Sequence, residues 1–334
     1  MITDQIKEQI NKASKIVFTA HKGPDGDACG STLAMYYYFK QFGKDVSVVL
    51  PNPVPNYLSK IPGSDVVIDF EFQEKRATET LNNADLIFCL DYNNPSRIGQ
   101  MENALLQTKA FKIMIDHHLF PVDFCDYVIS KPEISSTCQM VYDFMDALDA
   151  SKIYTPEIMS CIYTGILTDT GSFRFSSVDA RTHEIAMTFK QHGLDHEIIH
   201  RNLFDDNRPE RMQLLGYCIN QKMKLFLDKK VGFLSLTSKE LKDFNCTKQD
   251  TEGFVNYLLS MQGIEVAAFF IEQNNEIKLS LRAVGNWHVN KIVSDFYNGG
   301  GHQSAAGGQF KGTMEELYTH FETEVFPKLD NYYW

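Results

Sequence analysis

Short apolar segments alternate with polar or helical segments over the first half of this 334-residue chain. Their β-branched and aromatic residues are typical of buried strands. The predicted strands are KIVFTA at 15–20, DVSVVL at 45–50, DVVIDF at 65–70, ADLIFCLD at 84–91 and FKIMIDHH at 111–118. Strands that alternate with helices favour a parallel sheet, so the pattern predicts an α/β fold with a mostly parallel five-stranded sheet and covering helices.

The pattern becomes helical after the fifth apolar segment. The predicted helices cover residues 30–43 early in the chain and, later, 136–148, 156–169 and 179–193. Proline at the first helical position and glycine after the last one are common helix boundaries, and Pro156 and Gly193 occupy such positions. The first domain is therefore predicted to span residues 1–193.

A charged segment over 194–229 is predicted to be a helical linker, with a connecting helix over 208–226. Strand patterns resume in VGFLSLT at 231–237, EVAAFFIEQ at 265–273 and EIKLSLRAV at 276–284. Asn274-Asn275 between the last two favours a hairpin turn. The chain ends in a predicted helix from 314 to about 328. Residues 230–334 are expected to form a smaller mixed α+β domain.

Composition sets limits on the partners of this chain. The formal net charge of −11 argues against wrapping long duplex nucleic acid, because that binding requires Lys and Arg to neutralise many phosphates. The N-terminus contains no apolar signal-peptide segment, and no apolar run has the length that a bilayer requires. We therefore expect a cytoplasmic protein without a membrane partner.

Potential metal ligands follow several of the predicted elements. HKGPDGDACGS at 21–31 comes directly after the first strand, although Pro-Asp-Gly-Asp alone would also suit a simple turn. The candidate residues are His21, Asp25 and Asp27 after the first strand, Asp91 after the fourth, Asp116, His117 and His118 after the fifth, and Asp169 at a helix end. Because the carboxyl ends of parallel strands share one edge, we expect these side chains to converge there.

Convergent carboxylates require cations, because like charges repel and raise one another's pKa. The formal charges of Asp25, Asp27, Asp91 and Asp169 balance two divalent ions, which leaves the site able to accept a phosphate. Mixed carboxylate and imidazole ligation favours Mn²⁺ over Mg²⁺, while Zn²⁺, Fe²⁺ and Co²⁺ stay open. Singly, each residue also fits a turn, a cap or an incidental pair, so only the whole set indicates a metal centre.

Five motifs, in order, resemble those of the DHH phosphoesterases. HKGPDGDACGS, LDYNN, IDHH and GILTDTGSF resemble the family's four sequential motifs, and NGGGHQSAAGG at 298–308 resembles the glycine-rich signature of its DHH-associated C-terminal domain. The resemblance covers nearly the whole chain and is strongest to the bacterial nanoRNase and 3′-phosphoadenosine-5′-phosphate phosphatase branch. Relatives of that branch include enzymes that hydrolyse cyclic di-AMP or pApA.

The resemblance implies a role for each candidate residue. His21 and Asp25 are implied to bind one metal ion, Asp27, His117 and Asp169 a second ion, and Asp91 both. Asp116 is implied to orient an imidazole, which metal-binding histidines generally require. His118 is the implied contact of the scissile phosphate and assists the departing ribose oxygen, with a purely structural imidazole as the alternative.

Glycines of the second domain are candidate phosphate contacts, because consecutive glycines let backbone N–H groups approach an anion closely. These residues are Gly299, Gly300 and Gly301, with His302 as an additional donor. Family analogy implies that Arg282 is a phosphate clamp, although a surface ion pair is its alternative. The first domain would then cut a nucleotide that the second domain holds in a cleft between them.

Phe173 and Arg174 follow Asp169 closely and are candidates to line such a cleft. An aromatic ring at this position could stack on a base, and packing in the core is the equal alternative. No residue pattern here separates these two interpretations.

The function expected from these motifs is a two-metal Mn²⁺ phosphoesterase. Its substrates would be short oligoribonucleotides such as nanoRNA and pApA, together with 3′-phosphoadenosine-5′-phosphate. Cyclic di-AMP hydrolysis and a non-catalytic nucleotide sensor are the alternatives. A dehydrogenase is disfavoured because no GxGxxG follows the first strand, and the glycine signature argues against a manganese pyrophosphatase. The substrate order and the digestion polarity stay open, and a homodimer is only the common prior.

Overall fold

A computed structural model describes residues 3–273 and 276–334 of this chain. The chain divides into two compact units, Met1–Asp206 and Asn207–Trp334. The predicted turn at Asn274-Asn275 lies outside the described residues. Within the described ranges, no helix combines the length and the apolar composition needed to cross a bilayer.

The first unit is built on a parallel sheet. Its strands are β1 (Lys15–Thr19), β2 (Asp45–Leu50), β3 (Ile68–Asp69), β4 (Leu86–Leu90), β5 (Phe111–Asp116) and β6 (Tyr127–Ser130). They lie in the order β3-β2-β1-β4-β5-β6, and every neighbouring pair is parallel. The predicted α/β class is confirmed, with six strands instead of five.

Helices cover both faces of this sheet. They are α1 (Asp4–Lys12), α2 (Gly26–Lys40), α3 (Phe70–Asn82), α4 (Glu102–Gln107), α5 (Thr137–Asp149), α6 (Pro156–Asp169), α7 (Ala180–Gln191) and α8 (His196–His200). Ile16 and Phe18 of β1 join an apolar cluster with α2, α5 and α6, whereas Val17 joins a second cluster with α3 and α4. Successive side chains of a strand point to opposite faces, so the sheet is buried on both sides.

Two strand predictions differ from the structure. Residues 127–130 form the sixth strand, which the sequence did not indicate because none of its side chains is fully buried at this edge of the sheet. The segment 65–70 contributes only the two residues of β3. Ser64–Val66 forms a 3₁₀ turn. The Asp69 side chain accepts a hydrogen bond from Phe72 N and caps α3, so the helix begins at Phe70, inside the segment predicted as a strand.

Helix α2 begins at Gly26, earlier than the predicted start at residue 30. The Asp25 Oδ1 atom accepts hydrogen bonds from Asp27 N and Ala28 N, both at 3.0 Å, and therefore caps the helix. Asp27 consequently lies in the first helical turn. The polar segment, for which a simple turn was the alternative interpretation, therefore contains a helix N-terminus.

Close packing of α2, α5 and α6 depends on two glycines. A Cβ atom on Gly165 would lie 2.2 Å from Cys138 Sγ and 2.8 Å from Asp27 Oδ1. A Cβ atom on Gly30 would lie 2.4 Å from the carbonyl oxygen of Cys161. The absence of side chains at these positions lets the three helices approach one another, which brings the end of α6 towards the start of α2.

The second unit contains a mixed sheet. Its strands are β7 (Lys224–Phe226), β8 (Val231–Leu236), β9 (Val266–Gln273), β10 (Glu276–Ala283), β11 (Gly300–His302) and β12 (Ala305–Phe310). Their order is β11-β12-β10-β9-β8-β7, in which β8 and β9 are parallel and the other neighbours antiparallel. The helices are α9 (Pro209–Tyr217), α10 (Ser238–Asp243), α11 (Phe254–Leu259), α12 (Val289–Phe296) and α13 (Met314–His320). The predicted mixed α+β fold is confirmed.

Two helices of this unit end earlier than the sequence predicted. The helix predicted over 208–226 ends at Tyr217, continues as a π-helical turn over Cys218–Lys222 and gives way to β7. Pairing of β7 with β8 overrides the helical pattern of its sequence. The last helix ends at His320 and continues as irregular helical turns to Tyr332.

We predict that Gly165→Ala lowers the free energy of unfolding by about 1–3 kcal/mol, because the new methyl group overpacks the junction of three helices. Gly216→Ala in α9 is the matched control, since its Cβ would meet nothing within 4 Å. That exchange should leave stability unchanged or raise it by up to about 1 kcal/mol. Urea unfolding of both variants checks the prediction, and equal effects would contradict it.

Candidate metal centre

Sheet order positions the candidate site. After β3 at one edge, the chain returns to the other side of β1 and forms β4, so the topology switches between these two strands. Open α/β sheets bind ligands at the carboxyl edge beside such a switch. His21 follows β1, Asp91 follows β4, and Asp116 ends the neighbouring β5. Three central strands therefore deliver polar side chains to the same edge.

A first group of ligand atoms surrounds the buried imidazole of His21. Its Nε2 atom lies 3.3 Å from Asp91 Oδ2 and 3.6 Å from Asp25 Oδ2. Its Nδ1 atom lies 3.0 Å from Lys22 O, which fixes the orientation of the ring. One atom from each of His21, Asp25 and Asp91 lies within 4.8 Å of the others, a spacing that could hold a metal ion.

A second group surrounds His117. Its Nε2 atom lies 3.3 Å from Asp169 Oδ2 and 3.9 Å from Asp27 Oδ2. The Nδ1 atom lies 3.1 Å from Ile134 O, so the backbone orients this ring. Asp27, His117 and Asp169 again place ligand atoms within 4.8 Å of one another.

Asp91 lies between the two groups. Its Oδ2 atom faces His21, and its Oδ1 atom is 3.6 Å from His117 Nε2. The backbone of Asp91 has φ 62°, a left-handed conformation that aspartate tolerates better than most residues. Thr137 Oγ1 donates a hydrogen bond of 3.0 Å to Oδ1 and holds the carboxylate in place. The structure thus brings together all the residues that the sequence analysis assigned to metal binding: His21, Asp25, Asp27, Asp91, His117 and Asp169.

The N-terminus of α5 supports both groups, and the sequence analysis missed this role. Backbone N–H groups of Thr137 and Cys138 donate to the Asp27 carboxylate at 2.6 and 2.8 Å. Amides at a helix N-terminus stabilise negative charge. Ser136, which caps α5, was the available signal, but nothing in the sequence indicated that this helix would face Asp27.

Electrostatics test whether divalent ions fit these residues. Burial and the charge of Asp91 raise the pKa of Asp27 to about 7. Burial disfavours the charged form of His21, but the hydrogen bonds and charges of Asp25 and Asp91 outweigh it and raise the pKa of His21 to about 10. In the absence of metal ions, protons on Asp27 and His21 therefore offset part of the negative charge of this site. Buried carboxylates and imidazoles with excess negative charge are a donor set that fits divalent metal ions.

Asp116 and His118 form a separate pair beside these groups. Asp116 Oδ2 accepts a hydrogen bond of 2.8 Å from His118 N, and its Oδ1 lies 2.7 Å from His118 Nδ1. The imidazole that Asp116 orients is therefore that of His118. Burial lowers the pKa of His118; Asp91 opposes this shift, but the positive charge of Arg97 adds to it, and the pKa falls to about 3. Arg97 had not been singled out in the sequence.

Phe173 and Arg174 lie just beyond α6. The Phe173 ring stacks on His183 at 5.3 Å and contacts Tyr163 at 6.0 Å, so it packs against the first apolar cluster. Arg174 is exposed, and its Nε atom donates a hydrogen bond of 2.6 Å to Gly171 O. Packing accounts for the described contacts of Phe173.

Part of the glycine segment of the second unit forms the edge strand β11. Gly300 and Gly301 pair with Gly307 and Ala306 in β12. A Cβ on Gly301 would lie 2.4 Å from Ala305 O, whereas one on Gly300 would meet nothing within 4 Å. Packing within the sheet therefore requires glycine at position 301. A Cβ atom at position 300 would meet no other atom within 4 Å, so packing does not explain the glycine there.

His302 and Arg282 occupy matched positions in this sheet. Both pair with Ala305, His302 from β11 and Arg282 from β10. Directly opposite residues of antiparallel strands project to the same face. A packing constraint holds the neighbouring Gly299, where a Cβ would lie 2.0 Å from Gly307 O.

Comparison with known proteins decides the family. Residues 15–166 match the model of the DHH family, N-terminal domain, and residues 229–325 match the DHHA1 domain. NrnA of Thermus thermophilus, a bifunctional oligoribonuclease and PAP phosphatase, is 30% identical over 305 residues, which are 91% of this chain and 86% of the relative. This chain belongs to the DHH family. It is a hydrolase that acts on phosphoester bonds.

Two further comparisons extend over nearly the whole of this DHH chain. The cyclic-di-AMP phosphodiesterase GdpP of Bacillus subtilis is 24% identical over 326 residues, which are 93% of this chain and 47% of that protein. The crystal structure of an exopolyphosphatase-related protein from Bacteroides fragilis has a TM-score of 0.93 and 38% identity, with 98% and 97% of the two chains covered. The arrangement of elements described above is thus shared by a solved structure.

We predict that the metal-free DHH chain loses stability between about pH 6 and pH 9. A group whose pKa is raised by folding stabilises the fold while it is protonated and loses that contribution as pH rises through the folded pKa. The pKa of Asp27 is raised from 3.8 to about 7, so its contribution is lost as pH rises to about 7, and the pKa of His21 is raised from 6.5 to about 10, so its contribution declines over the rest of the range.

Thermal unfolding in chelator at several pH values checks this prediction. Asp27→Asn should flatten the decline below about pH 7 and leave the decline above it, because the amide does not titrate. Added Mn²⁺ should remove the decline in the parent chain, since metal ligands are deprotonated. A melting temperature that is constant or rises from pH 6 to pH 9 in chelator would contradict the assignment.

Proposed function

We propose that this DHH hydrolase cuts short oligoribonucleotides, including pApA, to mononucleotides, and that it converts 3′-phosphoadenosine-5′-phosphate to AMP. The observation that carries the proposal is the pair of ligand groups that lie on either side of the buried Asp91. The similarity to the Thermus oligoribonuclease and PAP phosphatase extends over both domains and supports the substrate class.

Two divalent ions, best supplied by Mn²⁺, fit the two groups. His21 and Asp25 would hold one ion, Asp27, His117 and Asp169 the other, and Asp91 would contact both. Such ions, when bound, would neutralise negative charge on the phosphate. They would also lower the pKa of water to near neutrality. The mixture of imidazole and carboxylate donors favours Mn²⁺ over Mg²⁺, which prefers oxygen ligands.

His118 is the proposed proton carrier at the scissile bond. Its ring is neutral near pH 7 in the absence of ligands because burial and the charge of Arg97 lower its pKa. An approaching phosphate carries negative charge, which offsets Arg97 and favours a proton on the ring. Asp116 lies 2.7 Å from Nδ1 and would keep one proton on that nitrogen, so the second proton, carried on Nε2, would be the one that passes to the departing ribose oxygen.

The second unit is proposed to bind the phosphates of the substrate. Gly299, Gly300, Gly301 and His302 would offer donors, and Arg282 would provide a guanidinium group for bidentate hydrogen bonds. The register that puts Arg282 and His302 opposite the same residue supports their joint role. Arg174 is proposed as an additional cationic contact in the first unit, whereas Phe173 would line the substrate path next to it.

Asp91→Asn should reduce phosphodiester hydrolysis by roughly a hundredfold or more, because even residues that only support metal ligands change activity by about 10–100-fold. The control is Asp45→Asn, an exposed aspartate at the start of β2, which should retain parent activity. Initial rates of metal-stripped protein with Mn²⁺ restored check this on pApA, five-nucleotide RNA, 3′-phosphoadenosine-5′-phosphate, cyclic di-AMP and pyrophosphate.

The outcomes of that panel separate the alternatives. Cleavage of the short nucleotides, abolished by Asp91→Asn, supports the proposal, and their relative rates give the substrate order. Preferential cleavage of cyclic di-AMP would support the activity of the relative GdpP instead. Hydrolysis of pyrophosphate alone would contradict the role given to the second unit, and nucleotide binding without turnover would indicate a sensor.

Gly300→Ala should raise the KM for pApA by roughly tenfold, equivalent to about 1.4 kcal/mol of binding, if a phosphate approaches this backbone. The variant should fold normally, because the added methyl group meets nothing within 4 Å. Gly301→Ala is the contrasting variant, and its clash with Ala305 O should lower stability. A KM for Gly300→Ala equal to that of the parent would remove Gly300 from the binding site.

A further inference from the structure

The segment between His118 and β6 exposes apolar side chains. Phe120 is 83% exposed, the highest value among the large apolar side chains that the structure describes. Leu119 and Val122 beside it are 44% and 39% exposed. Single exposed apolar residues are common, so exposure alone does not assign a role to this segment.

Contacts on both sides of Phe120 hold the segment in place. Asn93 Nδ2 donates a hydrogen bond of 2.6 Å to Leu119 O, and Val122 N donates one of 2.9 Å to Asn93 O. The buried ring of Tyr92 stacks on Phe124 at 5.9 Å. The supporting residues Tyr92 and Asn93 directly follow Asp91. The segment is therefore fastened to the metal centre, and the exposure of Phe120 is a property of a supported structure.

The backbone of Phe120 is strained. Its φ of 64° lies in the left-handed region, which glycine and asparagine tolerate and bulky residues avoid. A turn alone would be served better by asparagine. Bulky residues in such conformations are concentrated at functional sites, where the surrounding structure enforces them. Residue Phe120 thus combines an unfavourable backbone conformation with an exposed side chain.

The position of Phe120 relates its ring to the reaction. Consecutive Cα atoms are about 3.8 Å apart, so the Cα atom of Phe120 lies within about 7.6 Å of that of His118. A nucleotide with its phosphate at the metal centre carries its base within reach of such a ring. Aromatic side chains stack on bases of any sequence, because every base has a π face.

We propose that Phe120 is a stacking platform for the nucleobase next to the scissile phosphate, and that it favours nucleotides over phosphate esters without a base. This inference rests on the proposed function and specifies how the same site selects its substrate. Leu119 and Val122 would extend the apolar surface around the stacked base. Purines, which have the larger π face, should gain most from the contact.

Two substitutions separate the ring from the turn. Phe120→Asn removes the ring but keeps a residue that tolerates positive φ, and Phe120→Trp retains an aromatic ring. Phe120→Asn should raise the KM for pApA by about tenfold with kcat within about twofold of the parent, whereas Phe120→Trp should keep the parent KM. An abasic analogue of pApA should be cut equally by all three proteins.

A matched control tests exposure by itself. Phe72 near the start of α3 is 75% exposed and follows β3 at the far edge of the sheet. Phe72→Asn should leave the KM for pApA unchanged. A similar increase in KM for both variants would show that the loss of any exposed ring is sufficient, and it would overturn the assignment to Phe120.

Fluorescence gives a readout that does not depend on turnover. Addition of AMP to the Phe120→Trp variant should quench more tryptophan emission than in the parent, whose Trp287 and Trp334 lie in the second unit and provide the background. Ribose 5-phosphate, which has the phosphate and sugar but no base, should produce no additional quenching. Equal quenching by both ligands, or none by either, would contradict stacking.

The remaining outcomes are distinct. If Phe120→Asn slows pApA and the abasic analogue equally, the segment only shapes the metal centre and the proposal fails. A change from dimer to monomer in sedimentation would assign the ring to an interface between copies and overturn the stacking role. If the parent cuts none of the nucleotides but AMP still gives the additional quenching in the Phe120→Trp variant, the proposed function fails and the stacking site stands.

Discussion

The burial of several carboxylates at one sheet edge is the constraint on which the structure depends. Asp27 and Asp91 are 0% and 2% exposed and face the same imidazole of His117. Without a compensating cation such charges repel, and the shifts in pKa express this cost, since Asp27 holds a proton up to about pH 7. A scaffold that keeps these residues together is therefore organised for a positively charged ligand, and stability is given up to maintain it.

The rest of the first unit holds these carboxylates apart by defined distances. Helix α5 directs two backbone N–H groups at Asp27 and a hydroxyl at Asp91, so one helix end sets the spacing of both. Gly165 lets α6 approach closely enough to place Asp169 beside His117. The left-handed backbone of Asp91 turns its two carboxylate oxygens towards different imidazoles. Each feature acts through rigid backbone, which suits the proposed binding of two metal ions at fixed positions.

The residues after Asp91 and after His118 connect the proposed metal centre with the proposed base-stacking residue. Asn93 joins the two segments through hydrogen bonds in both directions, and Arg97 influences the charge of His118. The short stretch after Asp91 therefore supports a proposed metal ligand, adds to the lowering of the pKa of His118 by burial, and holds the segment that presents Phe120. In the second unit, the close packing of β11 against β12 requires glycine at position 301. The same packing does not require glycine at position 300.

The sequence by itself determined the fold class and the candidate ligands, because buried strands and the polar residues that end them follow from local patterns. It located His21, Asp91, His117 and Asp169 by type and position. Only the tertiary structure decided which atoms face each other: the support of Asp27 by α5, the pairing of Asp116 with His118, and the fastening of the Phe120 segment to Asn93. The tertiary structure also decided that Tyr127–Ser130 and Gly300–His302 form edge strands. These features depend on contacts between distant parts of the chain, for which hydrophobic periodicity and local turn chemistry contain no signal.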